Sequence, residues 1–413
     1  MVAELSALQQ IVNALTGLNG LPAVIVECAV TTIYTCEPCP MNINKTTLIL
    51  RTALGGFRIS FVTDSIQGAM VVGLVIIGVI TVGVETKIDR SLVESSRLLD
   101  ASLLGWQLIY ILPVAILTND FFISGFWMRT FASKTDKDLV LGTSIATVAV
   151  TFILGLVGAT GLLAAWTGAW PGNPPQDGGI AFFLLLEGLP AWVVGIVLVM
   201  VVSLSTAAFD SFQSAMVSTG SNDLFRNKLN LWYIRAAVVL IIFPVVVVAL
   251  KSPDILQVYL ISDLVSASSI PVLVIGLSDA CYWWRGFEVV VGGLGGLLTV
   301  FIFGTIYYGN AHQGAYLLLL ENGLYSNDWA AFGAFVAAPV GGLLWAAGAF
   351  SLRIASQWIQ AKRKGHRFDA FDPPATTSPA LYTGRAGSSE EEPAEHEDHE
   401  STFTIKPQKG KFF

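Results

Sequence analysis

Apolar residues fall along this chain in long blocks, several of which reach the ~20 positions that a helix needs to cross a ~30 Å hydrocarbon core. The blocks cover residues 4–18, 21–35, 64–85, 104–130, 140–168, 187–219, 230–250, 254–282, 287–308 and 330–353. They predict about ten helices. The alternating ~10-residue strands of a membrane barrel are missing, so the expected fold class is an all-α polytopic membrane protein. Residues 1–353 form the expected transmembrane domain, and residues 354–413 a disordered cytoplasmic tail.

The polar positions between the blocks suggest an orientation, because loops dense in Lys and Arg favour the cytoplasm. With simple alternation, Arg226 and Lys228, then Arg285, then Lys362, Arg363, Lys364 and Arg367 fall on one side. Segments 169–186 and 309–329 contain no Lys or Arg and fall on the other. Both termini are thus expected in the cytoplasm of a cell whose plasma membrane holds the protein. Lys87, Arg90 and Arg97 break the pattern, in a loop this scheme places outside. Segment 169–186, with Pro171, Pro174 and Pro175, reads as a loop. From about Lys362 the chain turns Pro-, Ser- and Glu-rich, with no apolar period that could fold.

Composition supports the same class. The chain has 413 residues, 54% of them hydrophobic and 13% charged, and a mean hydropathy of +0.65, whereas a soluble domain carries about 25% charge. The net charge of −7 is concentrated in an acidic run around Glu390 to Glu400 and implies neither a nucleic-acid partner nor a basic one. Cys36-Glu37-Pro38-Cys39 has CxxC spacing, but no second pair or nearby histidine completes a metal or redox motif. Segment 36–52 matches neither neighbour in composition. It reads as an insertion, a translated intron, and its Asn44-Lys45-Thr46 sequon would face the cytoplasm, where it is not glycosylated.

Candidate chemistry lies where polar groups interrupt apolar blocks, because such groups are costly in a bilayer unless they pair or line a solute path. The densest run is Ser203-Leu204-Ser205-Thr206-Ala207-Ala208-Phe209-Asp210-Ser211-Phe212-Gln213-Ser214. At 3.6 residues per turn Ser203, Thr206 and Asp210 share a face, which suits a small cation bound by several oxygens. Close helix packing through small residues accounts for the stretch equally well. A second patch, Thr118-Asn119-Asp120, lies between Pro113 and Gly125. A third, Ser262, Asp263, Ser266, Ser268 and Ser269, precedes Pro271. Interrupted helices of this kind often bind transported solutes. Glu27, Asp64, Arg129, Arg235 and Asp279 are further ionisable candidates inside the blocks, with Arg235 and Asp279 placed to snorkel or cap. The four histidines, His312, His366, His396 and His399, fall in a loop or the tail, and P-loop, GxSxG and HExxH motifs are missing. These features disfavour an enzyme and an ATP-driven pump, and no cofactor beyond a coupling Na⁺ or H⁺ is expected.

Three segments in order resemble the sodium:solute symporter family. Ala53-Leu54-Gly55-Gly56-Phe57 through Thr63-Asp64-Ser65-Ile66-Gln67 is similar to that family's Gly-Gly…Thr-Asp-x-x-Gln segment, with Tyr34-Thr35 supplying its beginning when 36–52 is skipped. Phe126-Trp127-Met128-Arg129-Thr130-Phe131-Ala132-Ser133-Lys134 resembles its Gln-Arg-x-x-Ala-x-Lys segment, and Ser205-Thr206 through Asp223 its Ser/Thr-rich helix. The resemblance covers residues 3–353. It implies a leucine-transporter-type inverted-repeat core lacking its first helices, and uptake of a small polar solute coupled to Na⁺ or H⁺. By the same resemblance Ser205 and Thr206 are cation ligands, joined by Asp64, Asp210 and Ser203. Asn119, Asp120, Trp127, Asp263 and Ser266 are expected along the substrate pathway. The surroundings of Trp127 point to urea as the solute. The alternatives are a truncated, non-transporting membrane protein or one acting through its acidic tail as an interaction partner.

Overall fold

A computed structural model describes residues 1–36, 57–131, 133–172, 175, 178–251, 255–321, 324, 327–368 and 370–372. Segment 37–52, with Cys39 and the Asn44 sequon, and the acidic run of the tail lie outside the described residues. Among the described residues every regular element is helical, and eight helices are long and apolar enough to cross a membrane.

The helices are α1 Val2–Thr16, α2 Leu21–Cys36, α3 Phe57–Glu85, α4 Arg90–Ser96, α5 Leu103–Phe122, α6 Ser124–Phe131 and α7 Asp136–Trp166. They continue as α8 Ala181–Glu187, α9 Ala191–Thr219, α10 Leu231–Lys251, α11 Ile255–Leu277, α12 Gly286–Tyr308, α13 Ala311–Leu319 and α14 Ala330–Lys364. The eight long spans coincide with the last eight apolar blocks. The first two blocks form helices of 15 and 16 residues. At 1.5 Å per residue the described parts of these helices reach about 22–24 Å, short of a ~30 Å core, so among the described residues eight of the about ten expected helices are long enough to span.

Three further expectations are corrected. Segment 169–186 is not a loop throughout, since a 3₁₀ turn at Gly178–Ile180 leads into α8, whose Leu186 is fully buried. Helices α5 and α11 run unbroken through Pro113 and Pro271. The break after Asp120 falls instead at Ile123, where extended backbone separates α5 from α6. Finally, α14 continues past residue 353 to Lys364, where Gly365 closes it in a left-handed conformation.

Chain contacts divide the molecule into two units. The first comprises residues 1–110, 119–262 and 320–327. Within it α9 packs against α1, α2, α3 and α10. Leu5, Leu8, Val24, Cys28, Phe209, Ile242 and Ala249 make one apolar cluster there, and Leu15, Val82, Leu186, Val193, Val197 and Val201 another. The second unit, residues 111–118, 263–319 and 328–413, is dominated by the packing of α12 on α14. A Cβ at Gly296 would lie 2.6 Å from the Ala338 carbonyl oxygen, and one at Gly292 2.9 Å from that of Gly342. Backbones approach this closely only where small residues line the contact. Val140, Leu141, Ile145, Val148, Phe152 and Leu154 of α7 are all exposed, an outward apolar surface that hydrocarbon, not water, solvates favourably.

Candidate solute and cation site

Helix α9 begins as an apolar span and carries its polar run in the second half. Its hydroxyls are divided by direction. The Ser203 hydroxyl donates to the Val199 carbonyl and that of Thr206 to the Val202 carbonyl, each at 2.8 Å. Both are thereby satisfied by their own helix, as isolated hydroxyls in a bilayer must be. Ser205, Phe209 and Gln213, four residues apart, form instead one buried stripe at 9%, 0% and 0% exposure. Asp210 is buried beside it at 5%. The face predicted from Ser203, Thr206 and Asp210 is thus split. Asp210 is inside, and the two hydroxyls are turned onto the backbone.

Helix α2 supplies the opposite wall. Glu27, only 4% exposed, faces the Ser205 hydroxyl across the α2–α9 contact. Among the described residues neither oxygen of its carboxylate nor the Ser205 oxygen has a hydrogen-bond partner. One turn along, the Thr31 hydroxyl donates to the Glu27 backbone carbonyl at 2.7 Å and accepts from the Gln213 amide nitrogen at 3.3 Å. That nitrogen also lies 3.3 Å from the Thr32 hydroxyl, while the Gln213 amide oxygen is buried without a partner among the described residues. Helix α1 contributes Glu4, which acts electrostatically on Glu27 and accepts a 2.8 Å hydrogen bond from the Tyr259 hydroxyl.

Helix α3 closes on the same stretch. Gln67, the last residue of the Thr-Asp-x-x-Gln segment, donates to the Ser203 carbonyl at 3.4 Å, and its own amide oxygen is buried without a partner among the described residues. Asp64 lies one turn earlier on α3, its side chain outside those described. The first unit therefore brings together Ser203, Ser205, Thr206 and Asp210 with Gln67, Gln213, Glu4 and Glu27. The run on α9 marked the place, but Glu27 and Glu4 were not identified as site residues. The available signal for Glu27 was its position as a lone carboxylate in the apolar stretch Leu21–Cys28. Nothing in the sequence singled out Glu4.

The expected pathway residues fall in both units. In the first, Asn119 accepts from the Ser262 hydroxyl at 3.2 Å, and the Trp127 indole donates to the Phe121 carbonyl at 2.7 Å across the α5–α6 break. Asp120 is exposed. In the second, Ser266 is fully buried, donates to the Asp263 carbonyl at 2.9 Å and lies 3.3 Å from the Thr118 hydroxyl, with Asp263 itself 9% exposed. Two apolar grooves lie elsewhere, one of about 340 Å³ between α3, α7 and α8 and one of about 590 Å³ along α12 and α14. Their lining is almost wholly hydrocarbon. Among the described residues no group of three His, Cys, Asp or Glu side chains is placed to hold a metal ion.

No family model matches this sequence, and no solved structure does. The chain is 52% identical over 379 residues to the spermidine transporter DUR31 of Candida albicans (strain SC5314 / ATCC MYA-2876), a match that covers 91% of this chain and 69% of that protein. The chain belongs to the family of membrane solute transporters that includes DUR31.

Proposed function

We propose that this protein carries a polyamine, such as spermidine, across the membrane by alternating access coupled to Na⁺ or H⁺, as a transporter of the sodium:solute symporter type. The observation that carries the reading is the 52% identity to a spermidine transporter. The site agrees chemically. A polyamine is an oligocation, and the first unit holds the carboxylates of Glu4 and Glu27 in electrostatic range of each other beside α9, which buries Asp210 of its own. A neutral solute such as urea needs no such charge, so the relative and the site chemistry both favour polyamine over urea.

Coupling requires an ion that stabilises the solute-binding state more than its alternative, because equal binding to both shifts nothing. Ser205 and Thr206 are the proposed hydroxyl ligands of that ion, with Asp64, Asp210 and Ser203 as its further oxygens. Labelled spermidine should accumulate in cells expressing the protein and labelled urea should not. Accumulation of urea alone overturns the substrate, and accumulation of neither favours a non-transporting role. Loss of one hydroxyl ligand to a cation weakens binding by roughly tenfold or more. The Ser205→Ala and Thr206→Ala variants should therefore need that much more Na⁺ for half-maximal uptake, and unchanged Na⁺ dependence in both rejects the assignment.

A further inference from the structure

The Glu27 carboxylate poses a problem that the fold itself leaves open. Both oxygens are buried without a hydrogen-bond donor among the described residues. The charge that acts on it is another carboxylate, Glu4. An ionised carboxylate in this setting is strongly disfavoured unless a cation joins it. The surroundings specify which kind. Its helix neighbours Val24 and Cys28 belong to an apolar cluster with Leu5, Leu8 and Phe209, while Ser205 offers one further unpartnered oxygen. A bare Na⁺ wants oxygens on all sides. One carboxylate and one hydroxyl against a hydrocarbon wall suit instead a head that is charged and a stem that is not.

We infer that the α1–α2–α9 contact binds the ammonium end of an alkylamine, with Glu27 as its counter-ion, the Ser205 oxygen as a second acceptor, and Leu5, Leu8 and Phe209 against the methylenes. The inference rests on the polyamine reading for its substrate class and adds the residue that recognises the charge. Glu4, held by the Tyr259 hydroxyl, places a second negative charge within electrostatic range of the first, which favours an amine with more than one ammonium group. The site is closed in this structure. Entry of the amine requires α2 and α9 to part, so the same contact would be made and broken in each transport cycle.

The test uses the purified full chain in lipid nanodiscs at constant ionic strength, with thermal unfolding read against n-butylamine, spermidine, n-butanol and NaCl. The two amines should raise the midpoint and butanol should not, whether or not NaCl at the coupling-ion site raises it as well. Glu27→Gln should weaken amine binding roughly ten- to a hundredfold, the range expected for losing a charge-assisted hydrogen bond, and Glu27→Asp should weaken it less. Unchanged amine binding by Glu27→Gln, or stabilisation of the wild-type protein by NaCl and not by amines, overturns the inference. Should Glu27→Gln fail to fold, the labelling of Cys28 by a methanethiosulfonate reagent in the wild-type protein decides. Butylamine should slow it and butanol should not, and a rate indifferent to butylamine overturns the inference. Wild-type protein that binds butylamine but takes up no spermidine fails the transport reading alone. Spermidine uptake that survives Glu27→Gln fails this inference alone.

Discussion

Glu288, at the start of α12, is fully buried and yet well satisfied. It accepts from the Arg285 backbone nitrogen at 3.0 Å and pairs with the Arg353 guanidinium of α14, which in turn donates to the Trp283 carbonyl at 2.7 Å. The contrast with Glu27 is instructive, because both are carboxylates away from water but only one is matched within its own unit. Removing one partner of a buried ion pair leaves the other charge stranded, at a cost of about 3–5 kcal/mol. Glu288→Ala should therefore lower the thermal midpoint of the purified protein markedly, while leaving amine affinity in the surviving folded fraction unchanged. An unaltered midpoint would mean that the pair contributes nothing. At this scale the sequence reveals polar residues in apolar blocks but not their partners. Glu27 and Ser205 lie far apart in the chain. Both Glu27 and Glu288 are buried, so the partners that packing supplies to Glu288, and not burial, distinguish the matched carboxylate from the unmatched one.

Among the elements, the long spans were legible because each is apolar over enough residues to satisfy its backbone internally in hydrocarbon. Apolar content marks α1 and α2 as membrane segments as well, but α1 stops after 15 residues, where Gly17 takes a left-handed conformation. Pro113 and Pro271, expected as breaks, lie inside continuous helices, because a helix supported by neighbours tolerates proline in its middle, whereas the chain between α5 and α6 is interrupted at Ile123. Glycine has an equally positional meaning. Gly296→Val would force a branched side chain into the backbone of Ala338 and the side chain of Ser268, and should disrupt the α11–α12–α14 packing. Gly348→Ala, on the same α14 but with nothing within 4 Å of the added carbon, should leave folding intact. Equal yields of monodisperse protein from both variants would refute the packing argument.

For the molecule as a whole, simple alternation of the spans leads to the expectation that Arg226, Arg285 and Lys364 lie on one side of the membrane and Asn310 on the other, and the positive-inside tendency that the first side is cytoplasmic. Single cysteines at Arg226 and Lys364 should resist an impermeant thiol reagent in intact cells and react after permeabilisation, with a cysteine at Asn310 reacting in both. The opposite pattern would invert the proposed topology. What the sequence determined by itself is the class: an all-α membrane protein with its polar chemistry centred on α9, since hydropathy and polar interruption are local properties that the solvent reads directly. What only the tertiary structure decided is the composition of the site. The Ser203 and Thr206 hydroxyls turn to their own helix, and Ser205 meets Glu27 from a helix nearly two hundred residues earlier. The face on which a side chain finds itself is set by the packing of distant helices, and neither periodicity nor motif encodes that packing in any one segment.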